Sequence, residues 1–68
     1  MLTLEETRVL SHLRTRVLST VAEITRVCLP DGSPDEAARI VWNLEWLGYV
    51  VCFGPDAVQI THRGKSAS

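Results

Sequence analysis

Apolar residues recur with a helical period in three stretches and then change to a strand period. Val9, Leu10, Leu13 and Val17 fall on one side at ~100° per residue, with Leu2 packing at the start, which predicts a first helix over Leu4–Arg14. Val21, Ile24, Val27 and Cys28 mark the buried face of a second helix from Val21 to about Leu29. Ala37, Ile40, Val41, Leu44 and Leu47 do the same for a third, from Pro34 to about Leu47. Each helix opens on a capping signature: Thr3-Leu4-Glu5-Glu6, Thr20-Val21-Ala22-Glu23 and Ser33-Pro34-Asp35-Glu36. The hydroxyl can accept from the backbone N–H three residues on, and the glutamate can reach back. Pro34 suits the first helical position, where its missing N–H is not needed. Acidic residues in each first turn also suit the helix dipole. Pro30-Asp31-Gly32 stops the second helix, and Gly48 offers the third a left-handed end.

After Gly48 the residues become β-branched and aromatic. Tyr49–Phe53 and Ala57–Thr61 flank the turn Gly54-Pro55-Asp56, which predicts one β-hairpin. Arg16-Val17-Leu18-Ser19 offers a very short strand between the first two helices. The polar end His62–Ser68 is expected to fray, so the reading is one domain over residues 1–64 and a flexible tail over 65–68. There is no internal repeat, low-complexity tract or linker.

Composition narrows this picture. A chain of 68 residues, 46% hydrophobic with net charge −1, fits one small ordered domain and argues against disorder. No apolar run approaches the ~20 residues of a membrane span. No basic start precedes an apolar stretch, so no signal peptide is expected. With only Cys28 and Cys52, the expectation is a reducing, cytoplasmic setting and two small buried thiols. A domain this short buries only ~60% of its unfolded surface, so dimerisation would help it.

Helix, short strand, helix, turn, helix, hairpin is the order of an α+β winged helix-turn-helix domain. The signal lies in Leu2-Thr3 leading to Val9-Leu10 and Leu13, and in Thr20-Val21-Ala22-Glu23-Ile24. It continues in Asn43-Leu44-Glu45-Trp46-Leu47-Gly48-Tyr49-Val50 and in Ile60-Thr61-His62-Arg63-Gly64. In these residues the chain resembles the core of the MarR-type (multiple-antibiotic-resistance) winged-helix regulators across most of residues 2–64. The resemblance implies a small transcriptional regulator that binds double-stranded DNA as a dimer. Its third helix would lie in the major groove with its N-terminal residues on base edges. By position the candidates are Ser33, Asp35, Glu36, Arg39 and Asn43, with Arg39 suited to guanine and Asn43 to adenine. Arg16, Arg26, Arg63 and Lys65 would hold phosphates. Two departures stand out: the family's flanking dimerisation helices find no room here, and the turn Gly54-Pro55-Asp56 lacks the basic residues of the family's wing tip.

Local charge points elsewhere. Residues 31–46 hold Asp31, Asp35, Glu36 and Glu45 against Arg39, a net of −3, while the stretches before and after each carry +1. Affinity for DNA comes largely from neutralising phosphates, and here the expected DNA-facing helix is the acidic one. Trp42 falls about 140° and Trp46 about 180° from Ala37, on a stripe shared with Asp35 and Arg39 that points away from the core. Paired exposed tryptophans suit a protein contact. The alternatives are that Trp46 folds under the hairpin with Trp42 against a loop, or that the pair stacks on bases. The second expected function is therefore a winged-helix interaction module or inhibitor that uses Asp35, Arg39, Trp42 and Trp46 to bind a protein, including a homodimer partner.

Enzyme chemistry finds no foothold in the sequence. His12 and His62 lack metal-ligand spacing with Cys28 or Cys52 and read as surface or capping residues. No phosphate loop or nucleophile motif is present, and Glu5-Glu6 reads as a helix start. No catalytic residue, metal or cofactor is expected.

Overall fold

A computed structural model describes residues 2–16, 18–54 and 57–67. These form an α+β fold: α1 (Leu4–Arg14), α2 (Val21–Cys28), α3 (Pro34–Trp46), β1 (Val50–Cys52), β2 (Val58–Ile60) and α4 (His62–Ala67). None of the described helices is long and apolar enough to cross a membrane.

The three capping signatures are used differently. At α1 the box is complete: Thr3 Oγ1 accepts from the Glu6 N–H at 3.1 Å, and the Thr3 N–H donates to Glu6 Oε1 at 2.8 Å. At α2 and α3 the hydroxyl half is present, with Thr20 Oγ1 accepting from Glu23 N–H at 3.0 Å and Ser33 Oγ from Glu36 N–H at 3.3 Å. The Glu23 carboxylate turns instead to His12 and Arg16. Such a cap stabilises a helix by ~1 kcal/mol. The α3 terminus is a Schellman closure: Gly48 N–H donates to Glu45 O at 3.0 Å and Tyr49 N–H to Leu44 O at 2.9 Å. Gly48 sits at φ +83°, where a side chain would be strained.

The hairpin is antiparallel, with Val50 opposite Ile60, Val51 opposite Gln59 and Cys52 opposite Val58. It is shorter than the apolar pattern suggested, and Phe53 N–H to Ala57 O at 2.8 Å begins the loop. Pro55 and Asp56 of the expected turn, and Val17 of the expected short strand, lie outside the described residues. That strand reduces to a bridge between Ser19 and Val58, made by two backbone bonds of 3.0 and 2.8 Å.

Val9, Leu10 and Leu13 of α1 meet Ile24 and Cys28 of α2 and Ala37, Val41 and Leu44 of α3 in one core. Val50, Val58 and Ile60 close it from the hairpin. Burying each such aliphatic side chain contributes roughly 1.5–3 kcal/mol. Val27, expected inside, is 51% exposed, because the buried stripe of α2 is centred on Ile24 and Cys28 and Val27 lies at its edge.

The C-terminal segment departs most from expectation. His62–Ala67, read as fraying and in part as a flexible tail, forms α4. Thr61 starts it: its Oγ1 accepts from Gly64 N–H at 3.1 Å and donates to Gly48 O at 2.7 Å. Gly64 is buried against the hairpin root, where a Cβ would stand 2.1 Å from Tyr49 O and 2.8 Å from Ile60 Cγ1. Only glycine permits that approach. The run Ile60-Thr61-His62-Arg63-Gly64 is thus a strand end, a cap and a docking glycine.

Candidate interaction face on the third helix

The core fixes how α3 is turned. Ala37, Val41 and Leu44 are at most 3% exposed, so the opposite stripe faces outward. That stripe carries Asp35, Arg39, Trp42 and Trp46. Trp42 is 70% exposed and Trp46 81%, so neither is folded under the hairpin or a loop. They stand four residues apart, as neighbours on one face. Both border a small hollow with Asn43. Trp42 also edges a groove shared with Arg39, Ile40 and the start of α1 at Thr3, Glu5 and Glu6.

Asn43 is held from beneath this face. Its Nδ2 donates to Glu6 Oε2, while Glu6 Oε1 takes the Thr3 N–H. Glu6 is buried, and its carboxyl is held below the ordinary glutamate range, chiefly by the Thr3 backbone N–H and further by Asn43 and the Thr3 hydroxyl, against burial, which raises it. Turning Asn43 to pair with an adenine would break its bond to Glu6. Ser33 is likewise engaged as the α3 cap. Arg39 and Asn43, one turn apart, are the two candidate base readers that the fold places side by side.

Of the four candidate phosphate contacts, two come together. Arg16 pairs with Glu23 at 3.2 Å and, with Arg14 and Lys65, lines a hollow between the end of α1 and β2. The Arg63 guanidinium lies over the Tyr49 ring, 5.6 Å from its centroid. Arg26 is exposed in the last turn of α2. The acids of 31–46 are also not one surface. Glu45 Oε2 accepts from Cys52 N–H at 3.1 Å and ties α3 to the hairpin, and Asp35 alone among them shares the stripe with the tryptophans.

One cluster escaped the sequence reading. The His12 side chain, expected at the surface or in a cap, is 7% exposed. Its Nε2 lies 3.2 Å from Glu23 Oε1 and 3.3 Å from Ser19 Oγ. Serine, histidine and glutamate together suggest a hydrolase relay, but a relay uses both ring nitrogens, one for the acid and one for the nucleophile. Here both contacts end on Nε2 and Ser19 is 3% exposed, so the cluster braces α1 against α2. The signal hiding it was Thr20-Val21-Ala22-Glu23, which reads locally as a capping box. Burial pushes both thiols up: Cys28 lies in the core, and Cys52 is raised further by the neighbouring Glu45. Neither environment favours a reactive thiolate.

Compared with models of protein families, with curated proteins and with solved structures, the chain matches none.

Proposed function

We propose that this chain is a winged-helix module that binds a protein through the outward face of α3, in place of the DNA groove this helix would enter in MarR-type regulators. One observation carries the reading: Trp42 and Trp46 stand side by side opposite the core, 70% and 81% exposed. Tryptophan is the residue most enriched at interaction hot spots, where it anchors a contact by burying a large apolar area. A DNA groove asks for the opposite, cations beside the reading helix, and Arg39 is the one cation on this stripe. The order α1, bridged segment, α2, turn, α3, hairpin supports the winged-helix layout. Two free thiols, one buried and one half-buried, fit a reducing cytoplasmic setting.

The second reading is a DNA-binding transcriptional regulator. The helix–turn–helix order and the exposed Arg39 in the middle of α3 favour it. In that reading Arg39 meets a base and Arg16, Arg26, Arg63 and Lys65 hold phosphates. Asn43 must then leave Glu6, and Asp35 and Glu36 must sit close to the backbone.

Binding to mixed-sequence duplex DNA at low and moderate salt, for the natural chain and Arg39→Ala, separates the two. The companion measurement is protein capture by the immobilised chain and by its Trp42→Ala/Trp46→Ala variant. The protein reading expects no Arg39-dependent duplex binding, and capture that the double variant loses. Salt-dependent duplex binding that Arg39→Ala abolishes overturns it in favour of the regulator.

A further inference from the structure

We infer that the protein seated on this face is a second copy of the chain, packed as an antiparallel α3–α3 pair about a two-fold axis between positions 40 and 41. The inference rests on the protein-binding reading and names its partner.

The outward stripe is Asp35, Arg39, Trp42 and Trp46, at intervals of four, three and four. Those intervals read the same in both directions. In a two-fold antiparallel pair of identical helices, each position meets the one equidistant from the axis, and every contact occurs twice. An axis between 40 and 41 therefore sets Trp42 opposite Arg39 of the other copy, and Trp46 opposite its Asp35. The chemistry of both pairs is complementary. A guanidinium over an indole face is a cation–π contact, strongest with tryptophan. The indole Nε1–H is a donor only, and a carboxylate is an acceptor only.

Other registers lose this match. Moving the axis to position 39 sets Arg39 against Arg39. Moving it the other way, between 42 and 43, pairs Trp46 with Arg39 but carries Asp35 beyond the end of the facing helix. The central register alone uses all four side chains.

Charge and area agree. Residues 31–46 are acidic as a stretch, yet the stripe itself carries one acid and one base. Glu45 is occupied at the hairpin, so two copies can meet without stripe-to-stripe repulsion. At 70% and 81% exposure, the two tryptophans present roughly 380 Å² per copy, using ~250 Å² for a whole residue. Two copies would cover roughly 760 Å² of tryptophan surface, and Arg39 and Asp35 bring the total toward the ~1,200 Å² at the lower end of specific interfaces. That size suits a weak, reversible dimer. Such a dimer buries the helix that DNA would need, so α3 cannot be paired and lie in a groove at once.

Sedimentation equilibrium of the full chain, from nanomolar to submillimolar concentration, tests this. The expected result is a reversible monomer–dimer equilibrium. Trp42→Ala and Trp46→Ala each weaken it by at least about tenfold. Arg39→Glu, which sets a carboxylate against the indole face, abolishes it, while Arg39→Lys keeps it within about tenfold. All four substitutions fall on exposed positions, and circular dichroism checks that each variant is folded. A chain that stays monomeric throughout overturns the inference, as does a dimer indifferent to Trp42→Ala and Arg39→Glu. If the chain is monomeric but still captures another protein through its tryptophans, the second copy is excluded and the protein-binding reading stands. If it instead binds duplex DNA through Arg39, both fall.

Discussion

Replacing Gly64 with alanine tests how α4 is held. The new Cβ would stand 2.1 Å from Tyr49 O and 2.8 Å from Ile60 Cγ1, where ordinary contacts begin near 3.4 Å. Tyr49 O is backbone at the hairpin root and accepts the Thr61 N–H at 2.9 Å, so it cannot easily give way. The clash therefore lifts α4 by more than an ångström. That movement breaks the Gly64 N–H bond to Thr61 Oγ1 at 3.1 Å and disturbs the Arg63–Tyr49 stacking. At about 1 kcal/mol for a hydrogen bond and about 0.5–1 for an exposed cation–π contact, with lost apolar packing beside Ile60, the cost is roughly 2–3 kcal/mol. Alanine's better helix propensity returns up to about 1 kcal/mol if α4 survives. The net expectation is a loss of about 2 kcal/mol in urea unfolding, with Ser66→Ala, on the exposed side of α4, within about 0.5 of the natural chain. Hydrogen exchange should show the Gly64 and Lys65 amides deprotected while α1 and α3 keep their order of protection. A Gly64→Ala chain as stable as the natural one refutes the docking argument. A chain unfolded in the absence of urea refutes the ceiling, since α4 could not then detach alone.

Two further outcomes follow from α1 and α3. Because the folded Glu6 carboxyl is held below its value in the unfolded chain, its contribution is full above the unfolded pKa near 4.5 and is lost as pH falls through the folded value; Glu6→Gln should flatten that acid limb of urea stability, and Asn43→Ala should cost about 1–2 kcal/mol at neutral pH by leaving a buried carboxylate oxygen without its donor. A Glu6→Gln chain with the same acid limb as the natural one rejects this account. At concentrations where the chain is monomeric, Trp42→Ala and Trp46→Ala should each shift urea stability by less than about 1 kcal/mol, since little of either ring is covered and alanine favours the helix; a loss of several kcal/mol in either would mean that the indole packs on its own fold.

The parts that were legible in the sequence are those fixed locally. Hydroxyl caps and the 3.6-residue period place α1 within its expected bounds and α2 and α3 within a residue of theirs, because both signals act inside a single helix. Gly48 marks a true left-handed end for the same reason. What was not legible depends on distant partners. Glu23 lies in a sound capping pattern, yet its carboxylate is drawn to His12 and Arg16 across the α1–α2 junction. Asn43 lies on α3, and its bond to Glu6 spans 37 residues of sequence. α4 is polar and short and carries a glycine, so its composition argues against a helix; the cap at Thr61 and the approach of Gly64 to Tyr49 make it one. The two strands are three residues each, shorter than the β-branched runs that predicted them.

The charge of α3 changes meaning once its side chains are placed. As a sequence sum, −3 over residues 31–46 describes an acidic recognition helix and predicts general repulsion from phosphate. In the fold, Glu45 serves the hairpin, Asp31 lies in the turn before α3, and Glu36 lies off the outward stripe. The stripe opposite the core is Asp35, Arg39, Trp42 and Trp46, which carries one acid and one base. On the stripe itself, then, the sequence sum overstates repulsion from phosphate. What supports the proposed reading is that Arg39 is the stripe's one cation, that Asn43 donates to Glu6, and that two exposed indoles stand beside them. Indoles in water gain most from a surface that covers them. In the proposed dimer, a neutral stripe whose acid, base and two rings are spaced symmetrically meets such a surface in its own reverse.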